Sequence, residues 1–255
     1  MTLYGLVGYP LSHSFSQRYF SEKFAKEGRE GFFYKNFPIP NIEKLSNLLE
    51  QQPDLRGFNV TIPYKEQIIP LMDEMDDVAT KVGAVNTVQV VRNGKDVYLK
   101  GYNTDVYGFS RSIEEWYAAC KSEIPRQALV LGTGGASKAV VCALRNFGMI
   151  VHLASRREGK GVYKTYEQLY ADDMDAHPLI VNTTPLGMFP NTGECPAIPY
   201  PYITGKHYLY DLVYNPKETL FIRKGLEKGT SVHNGERMLH LQADRAWEIW
   251  NNYER

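Results

Sequence analysis

The side chains best suited to chemistry stand at the ends of predicted elements. Lys65 closes the run Asn59-Val-Thr-Ile-Pro-Tyr-Lys65, which also holds Thr61, and Asp105 closes Gly101-Tyr-Asn-Thr-Asp105. Ser14 and Ser16 flank Phe15 in the hydroxyl-rich loop Tyr9-Pro-Leu-Ser-His-Ser-Phe-Ser16, and Gly83-Ala-Val-Asn-Thr87 puts Asn86 at the start of a strand. A lysine and an aspartate that meet in a crevice suit reversible proton transfer alongside a hydride, because each can hold or release a proton near a reacting oxygen. Taken singly, each has a plainer role: serines turn chains, an aspartate caps a helix, and a lysine after proline faces solvent.

A different chemistry is written further along, in Leu129-Val-Leu-Gly-Thr-Gly-Gly-Ala-Ser137. Apolar residues run into a glycine-rich turn, and Ala139, Val140, Ala143, Leu144 and Phe147 follow at helical spacing. Gly132 permits the turn, while Gly134 and Gly135 let backbone N–H groups approach an anion at the helix N-terminus. Ser137 occupies the third glycine position of the dinucleotide pattern, so a bland strand-to-helix turn stays open as an alternative. The next predicted strand ends in Ser155-Arg156-Arg157, with no carboxylate before Glu158. Two guanidiniums suit the 2′-phosphate of NADP, whereas an acid at that place would hold the 2′-hydroxyl of NAD. The plainer alternative is a pair of solvated loop charges.

These residues need elements to place them. Strands are predicted at 3–8, 32–37, 55–61, 85–91 and 97–102, the last two flanking the turn signal Asn93-Gly94. Tyr19, Phe20 and Phe24 mark a helix that stops near Gly28, Asn41 can cap one carrying Ile42, Leu45, Leu48 and Leu49, and Pro63 suits a first helical turn. This is a mixed-sheet α/β pattern. Val106, Phe109, Ile113, Trp116 and Cys120 then define a connecting helix at 105–120, with Thr104 as its cap. Strands at 149–154, 179–183, 208–213 and 230–232, with a helix at 219–228, continue as βα units, for which a parallel sheet is expected. Residues 158–168 are short for a crossover helix and carry little apolar periodicity. Met238, Leu239, Gln242, Ala246, Ile249 and Trp250 mark a last helix at 235–253. The polar clusters fall at element ends, where open α/β sheets build their crevices.

Composition narrows the class. A chain of 255 residues, 43% of them hydrophobic, can bury one large core or two ordinary ones. Lys plus Arg equals Asp plus Glu at 29 each, which supports neither a nucleic-acid footprint nor a polybasic membrane patch. No basic segment with a long apolar run stands at the start, and no apolar stretch reaches spanning length. Cys120, Cys142 and Cys195 lack metal-type spacing, so reduced thiols in a cytoplasmic protein are expected, with Cys142 in a helix core. The expectation from composition is a protein without nucleic acid, membrane or metal as partner.

As a set, Gly8-Tyr-Pro-Leu-Ser-His-Ser-Phe-Ser16, the Asn59–Lys65 run, Gly83-Ala-Val-Asn-Thr87, Gly101-Tyr-Asn-Thr-Asp105, the glycine loop and Asn234-Gly-Glu-Arg-Met-Leu-His-Leu-Gln242 resemble the shikimate dehydrogenase family, in that family's order and approximate spacing. The resemblance spans nearly the whole chain. It implies an N-terminal mixed-sheet α/β substrate domain, residues 1–104 completed by the C-terminal helix 236–255, and a Rossmann-type parallel-sheet NADP-binding domain at 105–235. The implied reaction is reduction of 3-dehydroshikimate to shikimate with NADPH, on the route to aromatic amino acids. Lys65 and Asp105 would be the catalytic pair. Ser14 and Ser16, with Thr61 nearby, would hold the substrate carboxylate, Asn86 and Gln242 its ring hydroxyls, and Tyr214 would lie beside it. Gly132, Gly134, Gly135 and Ala136 would meet the pyrophosphate, Ser155, Arg156 and Arg157 the adenosine phosphate, and Thr183, Gly235 and Met238 the nicotinamide side. Two other readings stay open: a quinate/shikimate dehydrogenase with broader substrate or NAD use, and a non-catalytic homologue that senses cofactor or shikimate. Where the family often has Pro, His and Asn after the second serine, this chain has Gln17, Phe20 and Ser21, and Arg157 replaces a residue that is often Thr.

Overall fold

A computed structural model describes residues 1–11 and 15–251. The chain divides into two compact units, Met1–Thr104 with Ala243–Arg255, and Asp105–Gln242. The first holds β1 (Thr2–Gly8), α1 (Phe15–Lys26), β2 (Phe32–Pro38), α2 (Leu45–Gln51), β3 (Leu55–Val60), β4 (Glu74–Met75), α3 (Asp77–Val82), β5 (Thr87–Asn93) and β6 (Asp96–Tyr102). Its sheet runs β2-β1-β3-β5-β6-β4. β1 is parallel to β2 and β3, while β5 is antiparallel to β3 and β6. This is the mixed sheet that the strand and hairpin pattern predicts.

Strand alternation sorts the core of this unit onto two faces. Leu3 and Val7 of β1 join Leu45, Leu55, Phe58 and Val88 on one side. Tyr4 and Leu6 join Phe20, Phe24, Tyr34, Trp247 and Trp250 on the other. The Trp250 ring stacks on Tyr4 at 4.8 Å, and its Nε1 donates to the Val88 carbonyl at 3.0 Å. It lies over Gly57, where a Cβ would overlap the indole. The end of the chain thus covers the face that α1 leaves bare, and such an indole contributes about 3–5 kcal/mol when truncation to Ala is the measure.

α4 (Thr104–Cys120) leads into the second unit, which holds β7 (Gln127–Leu131), α5 (Gly135–Asn146), β8 (Ile150–Ser155), β9 (Val162–Thr165), α6 (Ala171–Ala176), β10 (Leu179–Asn182), β11 (Tyr208–Asp211), α7 (Leu220–Leu226), β12 (Ser231–Asn234) and α8 (Glu236–Asn251), the last crossing back into the first unit. The sheet order is β12-β11-β10-β7-β8-β9, with every pairing parallel. The chain leaves β7 towards β8 and β9, then returns to β10 on the other side, so the order reverses between β7 and β10. Cys142 is buried in α5, as its apolar surroundings predict.

Local details differ from the sequence reading. Pro63 opens no helix: hydrogen-bonded turns run on to a 3-10 turn at Ile69–Leu71. Pro70 lacks the N–H that a helix begun at 63 would need to continue. The hairpin turns at Gly94-Lys95, because Asn93 pairs with Asp96 and Gly94 supplies the positive φ of 61°. Thr104 lies inside the first turn of α4 instead of before it, and Ser16 lies in the first turn of α1 instead of a loop. Residues 158–168 form the edge strand β9 and a 3-10 turn, with no crossover helix between β8 and β9. Among the described residues no helix is long and apolar enough to cross a membrane.

Candidate active site

In the first unit, strand direction gathers the polar residues along one sheet edge. The carboxyl ends of β1, β3 and β6 and the amino end of β5 lie side by side there, since Asn59 pairs with Thr87 and Thr87 with Tyr102. Thr61 follows β3, and its N–H donates to the Val7 carbonyl at 2.9 Å. Its methyl sits on Gly8, where a Cβ would overlap it. The Lys65 carbonyl accepts from the Val85 N–H at 2.7 Å, which pins the base of that half-buried side chain beside the strand that follows Asn86. Ser16 enters through the first turn of α1, while Ser14 lies outside the described residues.

Asn86 is held on several sides. Its Oδ1 accepts from the Thr104 N–H at 2.7 Å and from the Thr87 hydroxyl at 3.1 Å, and its Nδ2 donates to Thr104 Oγ1 at 3.0 Å. The carboxamide therefore fixes the start of α4, where Asp105 is the next residue. Asp105 is 6% exposed. A turn further along α4 stands Gly108, where a Cβ would come within 2.7 Å of the Met238 carbonyl and 3.0 Å of Gln242 Cβ. α4 and α8 therefore approach closely at Gly108, one turn along α4 from Asp105.

In the second unit the carboxyl edge of the parallel sheet collects the other candidates. Gly132 has φ 106°, and a Cβ there would lie 2.9 Å from Thr183 Oγ1. Thr183 in turn donates its hydroxyl to the Leu131 carbonyl at 2.7 Å, which ties the loops after β7 and β10 across the reversal in strand order. Gly134 is the N-cap of α5 without a side-chain cap, and a Cβ placed on it would meet nothing within 4 Å. Gly135 and Ala136 follow in the first turn of α5, where helix N–H groups have no partner within the helix and suit an anion. Ser137 turns its hydroxyl back to the Gly134 carbonyl at 2.6 Å, so the missing third glycine leaves no competing donor in that space. Half-buried Ser155 ends β8, and Arg156 and Arg157 are exposed just beyond it with no carboxylate between them. This donor set fits a dinucleotide with an additional phosphate. Gly235 starts the last turn before α8 under Leu212, whose carbonyl a Cβ would overlap, and Met238 is buried behind it. Tyr214 is half-buried in the loop after β11.

Sequence reasoning missed the residue that braces these loops. Asp211 is fully buried at the end of β11. Its Oδ1 accepts from Asn182 Nδ2 at 2.9 Å and from the Val213 N–H at 3.0 Å, and its Oδ2 from the Thr219 hydroxyl at 2.6 Å. Asn182 Oδ1 takes both the N–H and the hydroxyl of Thr184. One carboxylate thus links the loop carrying Thr183 to the loop carrying Tyr214. Burial pushes its pKa up to about 6, against the pull of the three donors. An acid inside an apolar strand end, Tyr208-Leu-Tyr-Asp211, was the available signal. Tyr34, Asn59 and Thr87 were also passed over. Asn59 lay in plain view at the head of the Lys65 run, but nothing local tied it to Tyr34.

Comparison with known proteins bears on this arrangement. A family model for the shikimate dehydrogenase substrate binding domain matches residues 6–88. The shikimate dehydrogenase (NADP(+)) of Clostridium beijerinckii is 37% identical over 98% of this chain and 92% of its own. Among solved structures, a shikimate dehydrogenase crystallised with NADP+ superposes with a TM-score of 0.87 at 28% identity, covering 98% of this chain and 90% of that one. The Thermus thermophilus shikimate 5-dehydrogenase, in complex with NADP(H) and shikimate, gives 0.83 at 31% identity, covering 99% and 94%.

Proposed function

The chain belongs to the shikimate dehydrogenase family, and from that premise we propose that it reduces 3-dehydroshikimate to shikimate reversibly with NADPH, in the biosynthesis of aromatic amino acids. The observation that carries the reading is the sheet edge where Thr61, Lys65, Asn86 and Thr104 are gathered, with Asp105 next in sequence. NADPH, when bound, supplies the hydride, and everything else falls to the chain's own groups. Ser14 and Ser16, with Thr61, take the substrate carboxylate through hydroxyl donors, which avoids the desolvation cost of a buried ion pair. Asn86 keeps a second Nδ2 proton for a ring hydroxyl, and Gln242 offers another amide. Tyr214 borders the ring.

Lys65 Nζ donates to the ketone oxygen as charge develops on it while Asp105 orients that donor, and in the reverse direction the Lys65–Asp105 pair receives the proton that leaves the hydroxyl. Stabilising the developing alkoxide and transferring a proton to it are both within reach of an ammonium group. Gly132, Gly134, Gly135 and Ala136 hold the pyrophosphate, Ser155, Arg156 and Arg157 the adenosine phosphate, and Thr183, Gly235 and Met238 border the nicotinamide. The reading implies a cytoplasmic enzyme acting on small molecules, as monomer or homodimer.

The test is a two-by-two assay of shikimate or quinate against NADP+ or NAD+, followed at the absorbance of the reduced cofactor. Turnover with shikimate and NADP+ above the other combinations is expected. Preference for quinate or NAD+ would move the chain to the quinate/shikimate branch, and no turnover at micromolar protein would overturn the proposal.

A further inference from the structure

We propose that Asp173 is a positioning residue for the choice of NADP over NAD, acting through β9 on the loop that carries Arg156 and Arg157. The inference rests on the reading of those arginines as donors to the adenosine phosphate. The loop spans residues 156–161, between the end of β8 and the start of β9, and Gly159 and Gly161 leave it little stiffness of its own. Its ends are set by strand pairing, Leu153 with Val162 and Ser155 with Thr165. That hold is slight. β9 has four residues, none of them buried, and lies at the sheet edge against β8 alone. Its pairing also shifts register between Leu153 and Ala154. Burial of apolar surface therefore does little to keep the strand, and with it the arginine loop, in place.

Asp173 supplies the missing hold. It stands in α6 and is 5% exposed. Its Oδ1 accepts from Lys164 Nζ at 2.6 Å and from the Tyr163 hydroxyl at 3.0 Å. Its Oδ2 accepts from Lys164 Nζ at 2.9 Å and from the Tyr170 N–H at 2.9 Å. Two consecutive side chains of β9 thus end on one carboxylate. A buried carboxylate is costly without such donors, so this contact holds more firmly than an ion pair in open solvent. α6 is in turn anchored to β8. The Asp173 carbonyl accepts from His177 Nδ1, and Nε2 of the neutral ring is left to accept from His152 Nδ1 at 2.7 Å. Burial lowers the pKa of His177, which keeps that ring neutral at neutral pH. The Tyr163 ring stacks on His152 at 4.4 Å and closes the circuit. β8, β9 and α6 are locked into one corner, and the arginine loop leaves from it and returns to it. The glycine loop follows β7, on the other side of β8, and takes no part in these contacts.

Asp173→Asn removes the charge and keeps the shape. The loop then loses its fixed end, and the two arginines must be ordered as the 2′-phosphate binds. The KM for NADPH should rise about three- to tenfold, while kcat and the KM for NADH stay within about twofold. Inhibition by 2′,5′-ADP should weaken by the same factor and inhibition by 5′-AMP should not, which reads the adenosine phosphate without turnover. Lys164→Met breaks the contact from the β9 side and should act in the same way, including where Asp173→Asn folds poorly. Added to Arg156→Ala with Arg157→Ala, Asp173→Asn should change the NADPH KM little more, since these residues act as one unit. Equal rises for both cofactors, or effects that add to those of the arginine substitutions, would mean that Asp173 merely supports the fold and would overturn the inference. An unchanged NADPH KM in either folded variant would do the same. If the paired arginine substitutions leave inhibition by 2′,5′-ADP as it is in the parent, the cofactor reading itself falls and this inference falls with it.

Discussion

Asp211 allows a quantitative test of the second unit. Its carboxylate is fully buried, and burial raises its pKa from the ordinary 3.8 to about 6 despite three donors. A carboxyl whose folded pKa is raised binds its proton more tightly in the folded state. Ionisation therefore costs stability as pH rises, with little cost below the unfolded value and the full cost above the folded one. A shift of about two units at ~1.36 kcal/mol each corresponds to about 3 kcal/mol at neutral pH, of which about 2 kcal/mol develops between pH 4.5 and 7.5. Asp211→Asn removes that ionisation while keeping the shape. Asn182 Nδ2 and the Val213 N–H can still donate to its oxygen, but the Thr219 hydroxyl loses its acceptor, at a cost of about 1 kcal/mol. The variant should be about as stable as the parent or slightly less at pH 4.5, and more stable by about 1–2 kcal/mol at pH 7.5. Urea unfolding of both proteins at the two pH values measures this difference. If the variant's stability relative to the parent is the same at both, the buried carboxylate does not carry the cost assigned to it and the reasoning fails.

Three more outcomes are expected. Lys65→Ala should lower kcat by at least about tenfold with a smaller change in shikimate KM, because the ammonium acts on charge that appears in the transition state; a normal kcat removes Lys65 from catalysis. Replacing Arg156 and Arg157 together by Ala should raise the KM for NADPH and leave that for NADH little changed, whereas equal effects on both cofactors would show that the arginines do not read the 2′-phosphate. Gly235→Ala would drive a methyl group into the Leu212 carbonyl and should destabilise the protein by about 1–3 kcal/mol or more, visible as a lowered melting temperature; an unchanged melt would contradict the close approach at that turn.

Much of the element order is legible in the sequence, because local signals carry it. The short buried run of β1, the helical spacing from Val106 to Cys120, and the glycine turn after Leu131 each operate within a few residues, and each of these elements forms within a residue or two of its predicted bounds. Predictions failed where a local signal met a distant constraint. Asn93-Gly94 looks like the hairpin turn, but pairing along the whole length of β5 and β6 moves it by one residue. Pro63 looks like a helix start, yet Pro70 denies the helix a continuation.

The sequence by itself determined which chemistry-bearing residues exist, that they sit at element ends, and that a mixed strand-and-helix stretch precedes a run of βα units with a glycine-rich turn. These follow from residue type, spacing and periodicity, all properties of neighbours along the chain. Only the tertiary structure decided how those ends meet. Strand order sets Asn59 beside Thr87, places the Asn86 carboxamide against the start of α4, and makes Asp211 the brace between two loops. It also joins Tyr34, Asn59 and Thr87 by side-chain hydrogen bonds. Which donor meets which acceptor depends on strand register and on who lies next to whom across the sheet. Residues tens of positions apart settle that together, and no window along the chain contains it.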